Sequence, residues 1–297
     1  METYLDPKYD LTFKRVFAEH KNLCISLINS ILMFEDNQQV VEIEYQSNEL
    51  IPELPILKNS IVDVRCTDKS GRHFIVEMQM HWTPDYKNRV LLNASKAYVT
   101  QLDKSQKIKL LQPVYAINLV NDTFENSPEM SGEYYHHYKI VNIKHTDRQI
   151  KGLEFVFIEL PKFRPSNRAD RRLHELWLRF LTEIDENTKE IPEELLAEAD
   201  IREAIGYIRE AAFSKAEKYA YDQYKIDVIT VRSVFMSVEE AKAEGKAEGK
   251  VEGKAEGKAE GKLEEKLEIA KNAKVLGFSI EQIQQLTNLS KEEIEKI

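Results

Sequence analysis

The chain has little of several things, and each shortage narrows what it can be. Only two of its 297 residues are cysteine, Cys24 and Cys66. That is too few for a disulfide framework, so an intracellular, reducing compartment is expected, with the cytosol as the simplest choice. No apolar run approaches the roughly 18 residues needed to cross a membrane. The opening Met1-Glu2-Thr3-Tyr4-Leu5-Asp6-Pro7 has neither the basic nor the apolar stretch of a secretion signal. The seven histidines are scattered without zinc-ligand spacing. His136 and His137 are adjacent on an expected strand and so point to opposite faces. Ten glycines are present, but none falls in a phosphate-binding loop that follows a strand. Positive charge is also short: the net charge is −9, which excludes a protein that coats nucleic acid non-specifically.

What is present is a soluble composition, 42% hydrophobic and 31% charged. The charge is uneven: residues 1–165 carry a net −2 and the remainder a net −7. Trp82 to Lys109 reverses the trend, with Lys87, Arg89, Lys96, Lys104, Lys107 and Lys109 against Asp85 and Asp103, a net +4.

Periodicity predicts a helix over Leu11 to Met33 and a strand over Val40 to Tyr45. Two short strands follow, Ile61 to Arg65 and His73 to Met80, and then a helix over Tyr86 to Leu102. That helix is expected to bury Val90, Leu91, Ala94, Ala97, Tyr98 and Leu102. Strands are expected at Val114 to Val120, Tyr134 to Ile143 and Leu153 to Leu160. This order describes a mixed α/β layer domain over 1–165. From Arg168 only helical patterns remain: one around Leu173 to Leu181, and another from Ile201 that runs on towards Tyr224. Ile226 to Met236 is ambiguous, being rich in β-branched residues. A helical region is therefore expected over 166–238 and a tail over 239–297.

The tail repeats Glu-Gly-Lys at 244, 248, 252, 256 and 260, with Ala or Val between. As a helix this makes an alanine stripe between a glutamate and a lysine stripe. Two readings stand: a solvated linker helix weakened by glycine, or a seam through which the chain self-associates. Beyond Leu263, Gly277 ends a helix, Ser279 can cap the next, and Ser290 with Glu293 forms a capping box. The acidic residues there disfavour DNA reading and favour packing or oligomerisation.

The chemistry is carried by two carboxylates. Strand side chains alternate faces, so Val62, Val64 and Cys66 share one face, as do Phe74, Val76, Met78 and Met80. Asp63, Glu77 and Gln79 take the other. If the turn Thr67 to Arg72 is centred on Ser70, Asp63 faces Glu77 directly. Like charges opposed across a sheet are destabilising, and a hard divalent cation would remove that cost. Asp63 and Glu77 thus suggest a metal site for phosphodiester chemistry, or else two solvated residues on an exposed sheet face. Asp10 reads as a helix cap or as a supporting carboxylate. Lys87, Arg89 and Lys96 read as a solvated face or as phosphate contacts, with Arg89 and Lys96 two turns apart and Lys87 diverging.

Asp63 followed by Glu77-Met78-Gln79, with helices on both flanks, resembles the PD-(D/E)xK nuclease superfamily. Asp10-Leu11-Thr12-Phe13-Lys14-Arg15-Val16-Phe17, Ser95-Lys96-Ala97-Tyr98-Val99-Thr100-Gln101-Leu102, Pro113-Val114-Tyr115 and the Glu-Gly-Lys tail narrow this. Together they resemble the Rpn family of bacterial recombination-promoting nucleases, often labelled transposases. The resemblance covers essentially the whole chain. It implies a restriction-endonuclease-like fold, with a helical C-terminal region and repeat-containing tail, and Mg²⁺-dependent (or Mn²⁺-dependent) DNA endonuclease activity. It further implies that Asp63, Glu77 and the carbonyl of Met78 hold the metal. Gln79 stands where the superfamily more often has lysine, and an amide can only orient water by hydrogen bonds. Expected partners are DNA and a second copy through the tail, with no membrane. The rival expectation is a DNA-binding or assembly protein that keeps the nuclease fold without its activity.

Overall fold

The structure is a computed structural model that describes residues 2–50, 60–102, 111–165 and 172–297. The described residues form two compact units, Met1–Ile229 and Thr230–Ile297.

The first unit is built on a six-stranded mixed sheet. Its strands are β1 (Ile43–Tyr45), β4 (Val64–Asp68), β5 (His73–Gln79), β6 (Val114–Val120), β7 (Tyr135–Asn142) and β8 (His145–Glu159), in the order β1-β4-β5-β6-β8-β7. β2 (Glu49–Leu50) and β3 (Ser60–Ile61) form a separate antiparallel pair. β5, β6 and β8 run parallel, flanked by antiparallel neighbours. β6 is buried throughout, which is why its sequence is apolar on both faces apart from Asn118, whose Nδ2 donates to the carbonyls of Ala116 and Val156.

Helices cover both faces. On one side α3 (Tyr86–Val99) lays Tyr86, Val90, Ala94 and Ala97 on Ile75, Ala116 and Phe157. The other side holds the larger core. There α1 (Asp10–Phe17) and α2 (Lys21–Leu32) pack with α4 (Arg172–Glu183), α5 (Glu193–Ala197) and α6 (Ala199–Tyr207). α4, α5 and α6 thus share one hydrophobic core with the N-terminal helices and the sheet.

Several boundaries differ from the sequence expectation. The single helix expected over Leu11 to Met33 is two helices. His20 is extended (φ −121°, ψ 99°), and its ring Nδ1 donates to the carbonyl of Arg15 at 2.8 Å, closing α1. The helix expected to run from Ile201 towards Tyr224 also breaks. The N-terminal segment competes for its backbone, with Leu5 N–H donating to the Ile208 carbonyl and Glu210 N–H to the Thr3 carbonyl, both at 2.9 Å. β8 starts eight residues before the expected Leu153, because β7 pairs with it through Asn142↔His145. Residues 145–151 of that added length are exposed on both faces, so they carry no alternation to read. The buried face of α3 includes Asn93 and excludes Leu91, which is 48% exposed.

α7 (Lys215–Val275) includes the ambiguous Ile226 to Met236 and the whole repeat. Its residues up to Ile229 belong to the first unit. In the second unit its last turns meet α8 (Ile280–Thr287) and α9 (Lys291–Glu295) around Ala270, Ala273, Ile283, Leu289 and Ile294. Gly277 takes φ +81°, and Ser279 with Gln282 and Ser290 with Glu293 close reciprocal capping boxes. No helix among the described residues is long and apolar enough to cross a membrane.

Candidate active site

The turn between β4 and β5 sets the site. Asp68 Oδ1 accepts from the backbone of Ser70 and Arg72, both at 2.9 Å, and Gly71 takes φ +81°. A residue with a Cβ would be strained at that φ. The resulting register runs from Thr67↔His73 to Val64↔Val76. One step further stand Asp63 and Glu77, as counting about Ser70 places them.

Asp63 has left the regular ladder. Regular β4 begins at Val64, three residues after the expected start, and Asp63 lies in a bend before it. Its Oδ2 accepts from the backbone N–H of Met78 at 2.8 Å, in place of a ladder bond. Asn48 Nδ2 donates to its carbonyl at 2.9 Å. The bend also reverses Val62, expected beside Val64 and Cys66; it packs instead with Ile75 on the α3 side. N–H and C=O of one strand residue project the same way. The Met78 carbonyl therefore faces the edge where Asp63 sits.

The reading of a solvated sheet face fails for Glu77, which is 8% exposed beneath α3. Its Oε1 accepts from Asn93 Nδ2 at 3.2 Å. Burial, then the charge of Asp63, push the Glu77 carboxyl up to about 7. The Asn93 hydrogen bond, the neighbouring Tyr86 hydroxyl and the charge of Arg89 pull the other way. Asp63 is pushed up to about 6, again chiefly by burial, against the Met78 N–H bond and the charges of Lys14 and Arg89. Its side chain keeps 23% of its surface exposed. Lys14 Nζ stands 4.0 Å from Asp63 Oδ1 but only 2.6 Å from Asp10. Asp10 is not a cap. Tyr9 occupies the cap position without a side-chain bond, and Asp10, the first helical residue, pairs with Lys14.

The donor set is all oxygen: two carboxylates and one backbone carbonyl. Among the described residues no three His, Cys, Asp or Glu side chains gather. Such a set fits a hard divalent cation that completes its shell with water, as Mg²⁺ does. The two carboxyls, each resisting ionisation in the absence of added charge, fit it as well.

Gln79 is held at both ends. Its Nε2 donates to the His81 carbonyl at 2.7 Å, and its Oε1 accepts from Arg89 Nη2 at 2.6 Å. The three basic residues of α3 separate. Arg89 turns to the carboxylates and lies over the Tyr86 ring, 4.8 Å from its centroid. Lys87 turns away, with its ammonium 4.9–5.6 Å from the ring centroids of Phe124, Tyr138 and Trp82. Lys96, two turns beyond Arg89, does not line the cavity. Lys104, Lys107 and Lys109 lie outside the described residues.

The cavity holds about 660 Å³ and is lined by Asp63, Glu77, Gln79, Arg89, Asn93 and Tyr224 among others. A larger depression of about 820 Å³, beside Asn29 and His174, brings together none of these residues. Sequence reading missed Asn93, Tyr86 and Tyr224. Asn93 carried a faint signal, as a polar residue one turn before Ala97 on the buried face of α3. Tyr224 carried none, since α7 is brought to the site by packing: Tyr9 meets Tyr221 and Tyr224 with ring centroids 5.1 and 5.6 Å apart. His81 Nε2 donates to the Val228 carbonyl at 2.9 Å.

Comparison with the curated proteins and with the solved structures gave no match. The family described as PD-(D/E)XK nuclease family transposase matches residues 7–230, which is most of the chain and takes in every residue of the cavity. That match spans the whole restriction-endonuclease-like sheet, and the chain belongs to the PD-(D/E)XK nuclease family transposases.

Proposed function

We propose that the protein is a divalent-metal-dependent DNA endonuclease that hydrolyses phosphodiester bonds, with Asp63, Glu77 and the Met78 carbonyl holding Mg²⁺ or Mn²⁺. The observation that carries this is the pair of opposed, largely buried carboxylates in one cavity, with no cationic side chain among the described residues closer to Asp63 than 4.0 Å. An ion held there would supply positive charge near the scissile phosphate and would make a coordinated water more acidic. The chain's own residues supply the placement. The Met78 amide orients Asp63, and Asn93 and Tyr86 orient Glu77. Asp10 holds Lys14 beside them as a supporting carboxylate. Arg89 would meet a DNA phosphate in the cavity, and Lys87 and Lys96, outside it on α3, would contact phosphates further along the DNA. A bacterial source and a part in DNA recombination are what the resemblance to the Rpn family implies, and the cytosol is the compartment that the two cysteines suggest.

One observation favours a second reading, a DNA-binding or assembly protein without activity: Gln79 replaces the usual lysine. Nicking of supercoiled plasmid separates the two. Cleavage is expected with Mg²⁺ or Mn²⁺ and none with a chelator. A preparation that binds DNA but nicks under no metal condition would support the second reading.

We also propose that the tail mediates self-association. Val231, Val234, Phe235, Met236 and Val238 are exposed on α7 ahead of the repeat, in the second unit. The alanine side chains of the repeat lie outside the described residues. At about 25 cal/mol per Å² alanines alone would bury too little to hold a dimer, so these larger residues would share the interface. The full chain should sediment as an oligomer. A chain ending at Glu239 and a variant with Ala247, Ala255 and Ala259 changed to Glu should shift towards monomer. If all three sediment alike, the repeat is a linker.

A further inference from the structure

We infer that Arg89 is the catalytic cation of this site, and that Gln79 acts through it as a positioning residue. This rests on the nuclease reading above and assigns the charge that reading leaves missing. A lysine at position 79 would place an ammonium at the end of β5, beside the carboxylates. Here the amide at that place has both ends committed, the nitrogen to the His81 carbonyl and the oxygen to Arg89 Nη2 at 2.6 Å. Its nitrogen is therefore turned away from any water at the carboxylates. What it presents to the cavity is a guanidinium.

The guanidinium is held on three sides. Gln79 accepts one of its N–H groups. Tyr86 supplies a ring face beneath it, and that ring is itself fixed, fully buried, with its hydroxyl donating to Asn118 Oδ1 at 3.0 Å. Helix α3 supplies its backbone. Arg89 nevertheless remains exposed and lines the same cavity as Asp63 and Glu77. A guanidinium has five N–H donors. Among the described residues the side chain makes no hydrogen bond other than that to Gln79. The rest can meet a phosphate through two parallel bonds, with a charge that does not titrate in the working range. A preorganised cation aimed where negative charge develops is worth most in a site that largely excludes water. The positive charge supplied by a strand lysine elsewhere in the superfamily is supplied here from the neighbouring helix.

The test combines position 89 with position 79 in the full chain, with folding checked by melting. At saturating plasmid and Mg²⁺, Arg89→Gln should lower the single-turnover nicking rate roughly 100-fold. Arg89→Lys, which keeps the charge, should lose distinctly less. Gln79→Leu should fall by less than Arg89→Gln, and the double variant should be no worse than Arg89→Gln alone, because Gln79 acts through Arg89. Gln79→Lys should restore activity to Arg89→Gln, by returning a cation to the strand. Without DNA, Arg89→Gln should bind Ca²⁺ several-fold tighter by calorimetry, since a neighbouring positive charge has gone. A role only in holding the fold would produce neither the restoration nor the tighter binding. An active wild type with unaffected Arg89→Gln, or a folded Gln79→Lys/Arg89→Gln variant that stays inactive, overturns the inference alone. A wild type that never cleaves overturns the nuclease reading and this inference with it.

Discussion

Asp63→Asn and Glu77→Gln are each expected to slow DNA cleavage by roughly 10²–10³-fold while raising the melting temperature of the metal-free protein at pH 8. Both parts follow from the same geometry. The two carboxyls stand opposed in one cavity, and their folded values lie near 6 and 7. Their ordinary values are 3.8 and 4.5. Folded carboxyls that hold protons more tightly than unfolded ones make the folded state the richer in protons between about pH 4 and 7. Stability therefore falls as pH rises through that window, and above it the full penalty remains. For such a coupled pair the penalty is on the order of 2–4 kcal/mol.

An amide in either place removes much of that penalty. It also keeps the local bonds, because an amide oxygen at position 63 would still accept from the Met78 N–H, and one at position 77 from Asn93 Nδ2. The rise should be about 5 °C for a unit of this size, and the decline of stability between pH 4 and 7 should flatten. Mg²⁺ should raise the melting temperature of wild type and leave the variants nearly unmoved, because only a ligand bound to the folded state stabilises it. Melting curves across pH, with and without Mg²⁺, beside nicking rates, provide the check. A variant that cleaves as wild type removes its residue from the mechanism. One that melts lower shows that the carboxylate holds the fold together.

Trp177→Ala is expected to be the most damaging single change to the fold, at about 3–5 kcal/mol. Trp177 is fully buried on α4. Its ring centroid lies 5.2 Å from that of Phe17 on α1 and 5.6 Å from that of Phe180. Its Nε1 donates to Ser26 Oγ on α2 at 3.1 Å. Alanine would leave a large cavity among aromatic side chains and a buried hydroxyl without its donor. Because the tryptophan joins α4 to α1 and α2, the loss should appear in the cooperative transition of the whole first unit, and nicking should fail at the lowered temperature. Tyr219→Ala, at a residue 68% exposed, should change stability by no more than about 0.5 kcal/mol. Urea denaturation of both variants measures the difference. A cost below about 1 kcal/mol for Trp177→Ala would mean that the C-terminal helices are not part of the core that positions the site.

The residues show which parts of this were local. Asp63 opposite Glu77 could be counted about one turn, because hairpin register depends on the few residues of the turn itself. β6 could be read as a strand from its strongly apolar run, and the caps at Ser279 and Ser290 from single hydroxyls three residues ahead of their partners. Those features depend on neighbours in the chain, so the sequence by itself determined them. The tertiary structure decided whatever depends on distant partners. Asp10 could be read as a cap or as a supporting carboxylate; Tyr9 takes the cap position and Asp10 pairs with Lys14 inside the helix. The helix from Ile201 reads as continuous, but Thr3 and Leu5 take its backbone bonds. Glu77 sits on a strand face that alternation alone would leave in water, and α3 buries it. Gln79 reads as an amide that orients water, but Arg89, ten residues on, occupies its oxygen. Tyr224 reaches the cavity from α7, some 160 residues beyond Asp63, through ring contacts with Tyr9. Periodicity and turn chemistry report which face a residue takes within its own element. They carry no information on which other element will cover that face, and burial, charge and hydrogen bonding at this site come from the covering elements.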